Sequence, residues 1–223
     1  MYRYAYDARF LSRTLEEVTP LLKSYLEDSQ QEKQKVLLQK PISEIQEELG
    51  MEQLIREGGG DLSRLAAVIL ENCNHMWDPR YIGHQVAAPM APAALGDLLN
   101  GVVNNPMPVY EMGPAATAIE RGLISWLLDK VGWSQCGDGI MTHGGSMANL
   151  TCLLAARASA FPDAWQKGTP AQAALIASQA SHYSIARAAA IIGLGSDAVF
   201  PVAVDEHCRI SVSELEGLSQ QLK

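Results

Sequence analysis

A glycine-rich turn at residues 142–149 has the residue types that hold a phosphate group. The segment reads T-H-G-G-S-M-A-N, and the apolar run that follows it is typical of a helix. Gly144 and Gly145 let the backbone approach an anion closely, and Ser146 offers a hydroxyl and is expected to cap the helix. Because free N–H groups and the helix dipole favour negative charge, the turn predicts a site for a phosphorylated ligand. The alternative is a structural glycine turn.

This turn matches neither of the common nucleotide-binding loops. A G-x-x-x-x-G-K-[ST] loop needs a lysine after its last glycine, whereas Ser146 follows Gly145. A G-x-G-x-x-G fingerprint can begin at Gly137 and Gly139, but Thr142 stands where the third glycine belongs. A nucleotide or sugar-phosphate enzyme is therefore disfavoured, although it stays open as an alternative.

A second polar group, S-H-Y-S at residues 181–184, follows a predicted strand at residues 173–177. Ligands of open α/β sheets gather at the carboxyl ends of the strands, so His182 can reach a ligand held by the preceding turn. Its flat ring can also stack on an aromatic cofactor. The alternative is a surface histidine next to a helix-capping Ser181.

The elements around these motifs predict an α/β fold with a mainly parallel sheet. Short apolar strands are expected at residues 140–141, 173–177 and 198–204. Helices are expected between and after them at residues 146–159, 185–192 and 212–222, the last capped by Ser211 or Ser213.

The preceding half of the chain is predicted to be helical. Its amphipathic first helix contains Pro20, which is expected to kink it, and Asp61 is expected to cap a helix that ends near His75. Another helix is expected at residues 93–103, and Pro114 is placed as the first-turn proline of a long helix over residues 115–131. The apolar positions expected to share one face of that long helix are Ile119, Leu123, Trp126 and Leu127.

Composition and charge exclude several classes of partner. The net charge is −8, from 25 acidic and 17 basic residues, and there is no basic stripe, so nucleic acid is not expected. The apolar runs are too short for a membrane span, and no secretory signal is recognisable. The four cysteines lie far apart without a C-x-x-C pair, which predicts reduced thiols, no metal site and a cytoplasmic protein.

Together the motifs resemble the group II pyridoxal-phosphate-dependent amino-acid decarboxylases, which include glutamate, aromatic-amino-acid and 2,4-diaminobutyrate decarboxylases. The resemblance begins near Leu62 and extends to the end of the chain. The similar segments are D-G-I-M-T-H-G-G-S-M-A-N-L at 138–150, S-H-Y-S-I at 181–185, N-N-P at 104–106, Y-E-M-G-P at 110–114 and V-D-E-H-C-R-I at 204–210.

The resemblance implies both a domain organisation and an assembly. An N-terminal helical dimerisation arm would occupy residues 1–112. The first part of a fold-type I large domain, a mainly parallel sheet with helices on both faces, would occupy residues 113–223 and be incomplete. A homodimer, or a complementing C-terminal polypeptide, would follow as the partner.

The resemblance also implies roles for individual residues. Gly145 and Ser146 would hold the phosphate of pyridoxal 5'-phosphate, and His182 would stack on the pyridine ring and position the substrate carboxylate. The residues that would line a substrate pocket are Tyr81, Asn105 and Thr117.

This chain departs from the family pattern at the catalytic residues. The cofactor needs a Schiff-base lysine and an acid that keeps its pyridine nitrogen protonated. In the family both come later in sequence, the lysine directly after a histidine, and this chain has no His-Lys pair. We therefore expect the N-terminal portion of a carboxy-lyase that is inactive alone. The alternative is a non-catalytic module that dimerises or binds pyridoxal phosphate or another phosphorylated ligand. Among amino-acid substrates, the sequence is slightly nearer to the diaminobutyrate-like members.

Overall fold

The chain divides between Asn104 and Asn105 into two units, which are described one at a time. The computed structural model describes residues 6–58, 60–133 and 136–222. The predicted assignment of an arm and a cofactor-binding domain, with its boundary after Met112, stays a prediction.

The first unit is helical. Its helices are α1 (Ala8–Gln30), α2 (Ile42–Leu49), α3 (Met51–Glu57), α4 (Leu62–Glu71) and α5 (Ala91–Val103). Pro20 lies inside α1, which packs against α4. The predicted cap of α4 is confirmed, because the Asp61 carboxylate accepts the backbone N–H groups of Ser63 and Arg64.

The end of α4 was predicted wrongly. The helix stops at Glu71 rather than near His75, because the chain turns and the His75 N–H donates to the Val36 carbonyl at 2.9 Å. That bond ties residues 72–75 to the polar segment that follows α1, instead of continuing the helix.

The second unit is α/β. Its helices are α6 (Pro114–Lys130), α7 (Gly145–Ala160), α8 (Ala164–Lys167), α9 (Ser184–Ile191) and α10 (Val212–Gln221). Two short 3-10 turns lie at Tyr110–Met112 and Ser196–Ala198. The strands β1 (Leu175–Ser178) and β2 (Val199–Val202) pair in parallel, with Leu175 opposite Val199 and Ser178 opposite Val202. Helix α9 is the crossover between them, as a parallel pair requires.

The predicted strand at residues 140–141 does not occur. The Met141 N–H donates to the Glu120 carboxylate at 2.8 Å, so this backbone is bonded to a side chain of α6 rather than to a sheet. The other two strands are confirmed in shorter form, and in the described part of the chain they make up the whole sheet. Ser211, and not Ser213, caps α10 by accepting the Glu214 N–H.

The core of the second unit is small and consists mainly of alanine. Helix α9 packs on α7, and Ala188, Ala189 and Val202 are at most 2% exposed. The first-turn position of Pro114 in α6 is confirmed. The apolar face predicted on that helix is left open, however, with Ile119 71% and Trp126 55% exposed.

Candidate functional site

The predicted phosphate turn is the N-terminus of α7. Gly144 is the N-cap, with φ +87° and ψ 163°, a backbone conformation that only glycine adopts without strain. Ser146 was wrongly predicted as the cap: the helix begins one residue earlier, at Gly145, and has no side-chain cap. The first-turn N–H groups, including those of Gly145 and Ser146, consequently have no acceptor within the helix.

Space for an anion is present at this helix end. A side-chain carbon built on Gly144 or on Gly145 would meet no atom within 4 Å. The turn itself is braced, because the Gly144 N–H donates to the Thr142 carbonyl at 2.9 Å and the Thr142 hydroxyl donates to the Gly144 carbonyl at 3.2 Å. Uncapped N–H groups beside open space, with a serine hydroxyl on the same turn, fit a phosphate group.

Two contacts from α6 hold the segment that leads into the turn. Arg121 pairs with Asp138 at 2.8 Å, and Glu120 accepts the Met141 N–H. The backbone N–H of Gly139, and then the Arg121 guanidinium, lower the pKa of the Asp138 carboxyl, so this side chain is charged at neutral pH. The position of the phosphate turn therefore depends on α6.

His182 lies just before α9, with an exposed side chain. The His182 ring is tilted by 38° relative to the Tyr183 ring, and the two ring centroids are 4.0 Å apart. The Arg187 guanidinium carbon lies over the Tyr183 ring, 4.6 Å from its centroid. The alternative cap, Ser181, has no capping bond to this helix. Instead the Ser184 N–H donates to His182 Nδ1 at 3.2 Å, so the imidazole occupies the start of the helix.

A chain of short hydrogen bonds joins the two predicted motifs. Asn149 Nδ2 donates to Ser184 Oγ at 2.8 Å, and that oxygen lies 2.8 Å from His182 Nδ1. Asn149 follows Ser146 by three residues and Gly145 by four, so it shares their face of α7. The structure thus links the phosphate turn to His182 through two residues to which the sequence analysis assigned no role. The sequence did contain a signal for both residues. Asn149 follows Ser146 at helical spacing, and Ser184 follows His182 by two residues.

The three predicted pocket residues are divided between the two units. Tyr81 is half-buried in the first unit, where its N–H donates to the Asp78 carbonyl at 2.9 Å. Asn105 and Thr117 belong to the second unit, and the Thr117 hydroxyl donates to the Gly113 carbonyl at 2.8 Å. Their roles in a pocket stay predictions.

Two classes of feature are not found in the part of the chain that the structure describes. Residues 6–58, 60–133 and 136–222 contain no group of three or more histidine, cysteine or acidic side chains arranged to hold a metal ion. None of the helices in those ranges combines the length and the apolar character that crossing a membrane requires.

The sequence profile of the pyridoxal-dependent decarboxylase conserved domain matches residues 56–222, so this chain belongs to the pyridoxal-dependent decarboxylase family. The family's members are decarboxylases, which are lyases, and their cofactor is pyridoxal phosphate. The resemblance drawn from the motifs is confirmed.

Relatives of known activity are similar over part of their length. Glutamate decarboxylase of Drosophila melanogaster is 37% identical over 131 residues, which are 57% of this chain and 26% of that protein. Cysteine sulfinic acid decarboxylase of Mus musculus is 36% identical over 141 residues, or 62% of this chain and 28% of that protein. These matches span only about a quarter of each relative.

Solved structures share the fold. Mouse CSAD is 26% identical with a TM-score of 0.86, covering 95% of this chain and 46% of that one. The glutamate decarboxylase domain of a Vibrio parahaemolyticus protein has a TM-score of 0.82 at 21% identity, covering 96% and 48% of the two chains. The α/β fold is therefore confirmed, and the chain spans about half the length of these structures.

Proposed function

We propose that this chain is the N-terminal portion of a pyridoxal-phosphate-dependent amino-acid decarboxylase and holds both the phosphate and one face of the cofactor ring. The observation that carries the proposal is the open, uncapped N-terminus of α7, joined by Asn149 and Ser184 to His182. Family membership identifies the phosphorylated ligand.

Gly145 and Ser146 would hold the phosphate. Their N–H groups lie in the first turn of α7, where the helix dipole is positive, and the Ser146 hydroxyl adds a donor on the same turn. Hydrogen bonds to a charged group contribute about 1.5–3 kcal/mol each, so a few of them anchor the cofactor without any covalent bond.

His182 would cover the ring and position the substrate carboxylate. Its imidazole is exposed, and its Nδ1 is bonded to Ser184, so the ring plane is fixed from one side while the opposite edge remains available. When bound, pyridoxal phosphate supplies the electron sink for loss of the substrate carboxyl group. The residues of this chain would bind the cofactor, orient the substrate carboxylate and offer it a hydrogen-bond donor.

The covalent lysine and the acid that faces the pyridine nitrogen would come from polypeptide outside this sequence. No lysine in this sequence directly follows a histidine, and the chain spans 46% of the mouse CSAD structure. We infer that the chain alone does not decarboxylate. A complementing C-terminal polypeptide, carrying the lysine, would dock where the apolar face of α6 is exposed.

Assembly and location follow from the same interpretation. The helical first unit would pair two subunits in a homodimer. All four cysteines are unbridged thiols, which suits the reducing cytoplasm. The substrate would be an amino acid, and the names of the relatives suggest an acidic one to test first.

Release of carbon dioxide from labelled amino acids tests the proposal. The chain alone, and the chain mixed with a polypeptide that carries the rest of the family sequence, are given glutamate, cysteine sulfinate, 2,4-diaminobutyrate and an aromatic amino acid. We expect no turnover by the chain alone and turnover of one substrate by the mixture. Turnover by the purified chain alone would contradict the proposal.

Borohydride reduction followed by peptide mass analysis distinguishes the proposed enzyme portion from the non-catalytic alternative. In the active mixture the cofactor should be trapped on a lysine of the complementing polypeptide and on none of this chain. Binding of pyridoxal phosphate without activity in any mixture would instead favour a binding and dimerisation module.

A further inference from the structure

We propose that Asn149 and Ser184 are positioning residues, which hold the neutral His182 ring as the tautomer with its proton on Nε2. The inference rests on the proposed function for its purpose, since it concerns the same histidine. Its chemistry, however, is a property of this chain's own side chains and can be measured without cofactor.

The hydrogen bonds at Nδ1 determine the tautomer. The Ser184 backbone N–H lies 3.2 Å from His182 Nδ1, and an amide N–H can only donate. This bond favours an accepting Nδ1, and a ring nitrogen that accepts carries no proton. In the neutral imidazole the single proton is then on Nε2, because the bond made by one ring nitrogen sets the state of the other.

The Ser184 hydroxyl reinforces this arrangement. Its oxygen lies 2.8 Å from Asn149 Nδ2 and 2.8 Å from His182 Nδ1. The amide Nδ2 has only protons to give, so Oγ accepts there and keeps its own proton for Nδ1. The bonds then run in one direction, from Asn149 to Ser184 to His182. A reversed Asn149 amide would take the hydroxyl proton and remove one donor from Nδ1.

The three hydrogen-bonded side chains differ in their exposure to solvent. Ser184 is 2% exposed and Asn149 is half-buried, whereas His182 is exposed. A buried hydroxyl that loses its partners destabilises the fold, so Ser184 has a strong preference for this geometry. The exposed ring is left with an Nε2–H donor, the group that a carboxylate oxygen binds.

Nitrogen NMR of this chain without cofactor tests the proposal. The protein carries ¹⁵N-labelled histidine, and the spectrum of His182→Gln identifies the His182 signals among the five histidines. At a pH where the ring is neutral, we expect Nδ1 at the position of an unprotonated nitrogen and Nε2 at that of a protonated one. Ser184→Ala and Asn149→Asp should move both signals part of the way toward tautomer-averaged positions, because they remove the 2.8 Å hydroxyl bond and leave the longer backbone bond at 3.2 Å. Ser184→Thr, which keeps the hydroxyl, should restore the native pattern.

Controls separate positioning from folding. Ser159→Ala, on the exposed last turn of α7, and Asn100→Asp, on the exposed face of α5, should leave the His182 signals unchanged. Backbone amide spectra establish whether each variant is folded. Asn149→Asp keeps the shape of the side chain, so it remains informative if the added methyl of Ser184→Thr does not fit.

Two results would overturn the proposal. One is a proton on Nδ1 of the native chain. The other is a set of His182 signals that is the same in the native chain, in Ser184→Ala and in Asn149→Asp. Neither result bears on whether α7 binds the phosphate, which is tested separately through Ser146. Failure of the proposed function and failure of this inference are therefore distinguishable.

Discussion

Asn149 and Ser184, which are 35 residues apart in sequence, are joined by a 2.8 Å hydrogen bond that ties helix α7 to the start of helix α9. Asn149 shares a face of α7 with the phosphate turn, and Ser184 is bonded to the imidazole of His182. One part-buried contact therefore connects the residue groups proposed for the phosphate and for the ring of the cofactor.

Replacing both ends of this bond should give less destabilisation than the sum of the single replacements. We expect Asn149→Ala and Ser184→Ala each to lower the free energy of unfolding by about 1–2 kcal/mol, with a coupling of about 1 kcal/mol between them. Urea unfolding of the two single variants and the double variant measures this. Asn100→Ala, an exposed asparagine in α5, should cause no loss. Full additivity of the two effects would contradict the contact.

The N-cap of α7 should not tolerate a side chain. Gly144 has φ +87°, so Gly144→Ala is expected to cost about 1–3 kcal/mol through backbone strain and to weaken binding of pyridoxal phosphate. Gly217→Ala is the matched control, because this glycine lies inside α10 with open space beside it and should gain about 0.5–1 kcal/mol. Urea midpoints of the two variants should therefore shift in opposite directions; a shift in the same direction would contradict the account.

Acid should weaken the first unit through Asp78. Its buried carboxylate pairs with Arg80 at 2.7 Å, and the hydrogen bonds from Arg80 lower its pKa to about 2. Because the unfolded value is about 4, this contribution to stability is complete above pH ~4 and is lost as the pH falls toward ~2. Asp78→Asn should be less stable than the native chain at neutral pH, and the difference should shrink across that interval.

The control for Asp78 is an exposed ion pair. The Asp163 carboxylate lies 2.6 Å from the Lys167 ammonium group, and the Asp163 side chain is 72% exposed. Exposed ion pairs of this kind contribute little to the free energy of unfolding. Asp163→Asn should therefore follow the native curve when urea unfolding is repeated across acidic pH. A difference for Asp78→Asn that stayed constant down to the lowest pH would contradict the assignment.

The exposed face of α6 should matter for assembly rather than for the stability of this chain. Ile119 is 71% exposed, so Ile119→Glu is expected to change the free energy of unfolding by less than about 0.5 kcal/mol. The same variant should abolish reconstitution of activity with the complementing polypeptide. Ala118→Glu, which adds the same charge at an exposed position next to Ile119 in sequence but outside that face, should reconstitute normally. Equal activity of the two variants would exclude this face as the docking surface.

The features that the sequence predicted best are those that depend on neighbouring residues. Asp61 caps α4, Pro114 begins α6 and Ser211 caps α10, because each of these residues bonds or restricts the backbone next to it. The two parallel strands were also recognisable, since short apolar runs followed by helices favour that pairing. Glycine spacing was enough to place a helix start at this turn, while its binding of phosphate stays a prediction.

Two of the errors came from contacts between distant residues. Residues 140–141 have the composition of a strand, but Glu120 of α6 accepts the Met141 N–H and replaces the sheet partner. Helix α4 ends early because the His75 N–H bonds to Val36. The contact of Asn149 with Ser184 is of the same kind: each residue is visible in its motif, but only the fold brings them together.

The central claim is that the N-terminus of α7 holds the phosphate of pyridoxal phosphate. Equilibrium dialysis of the purified chain against pyridoxal phosphate and against pyridoxal, which lacks the phosphate, tests it most directly. We expect pyridoxal phosphate to bind at least about tenfold more tightly, with Ser146→Ala reducing that preference by about tenfold and the control Ser159→Ala leaving it unchanged. Equal binding of the two compounds, or a preference that Ser146→Ala does not alter, would contradict the claim.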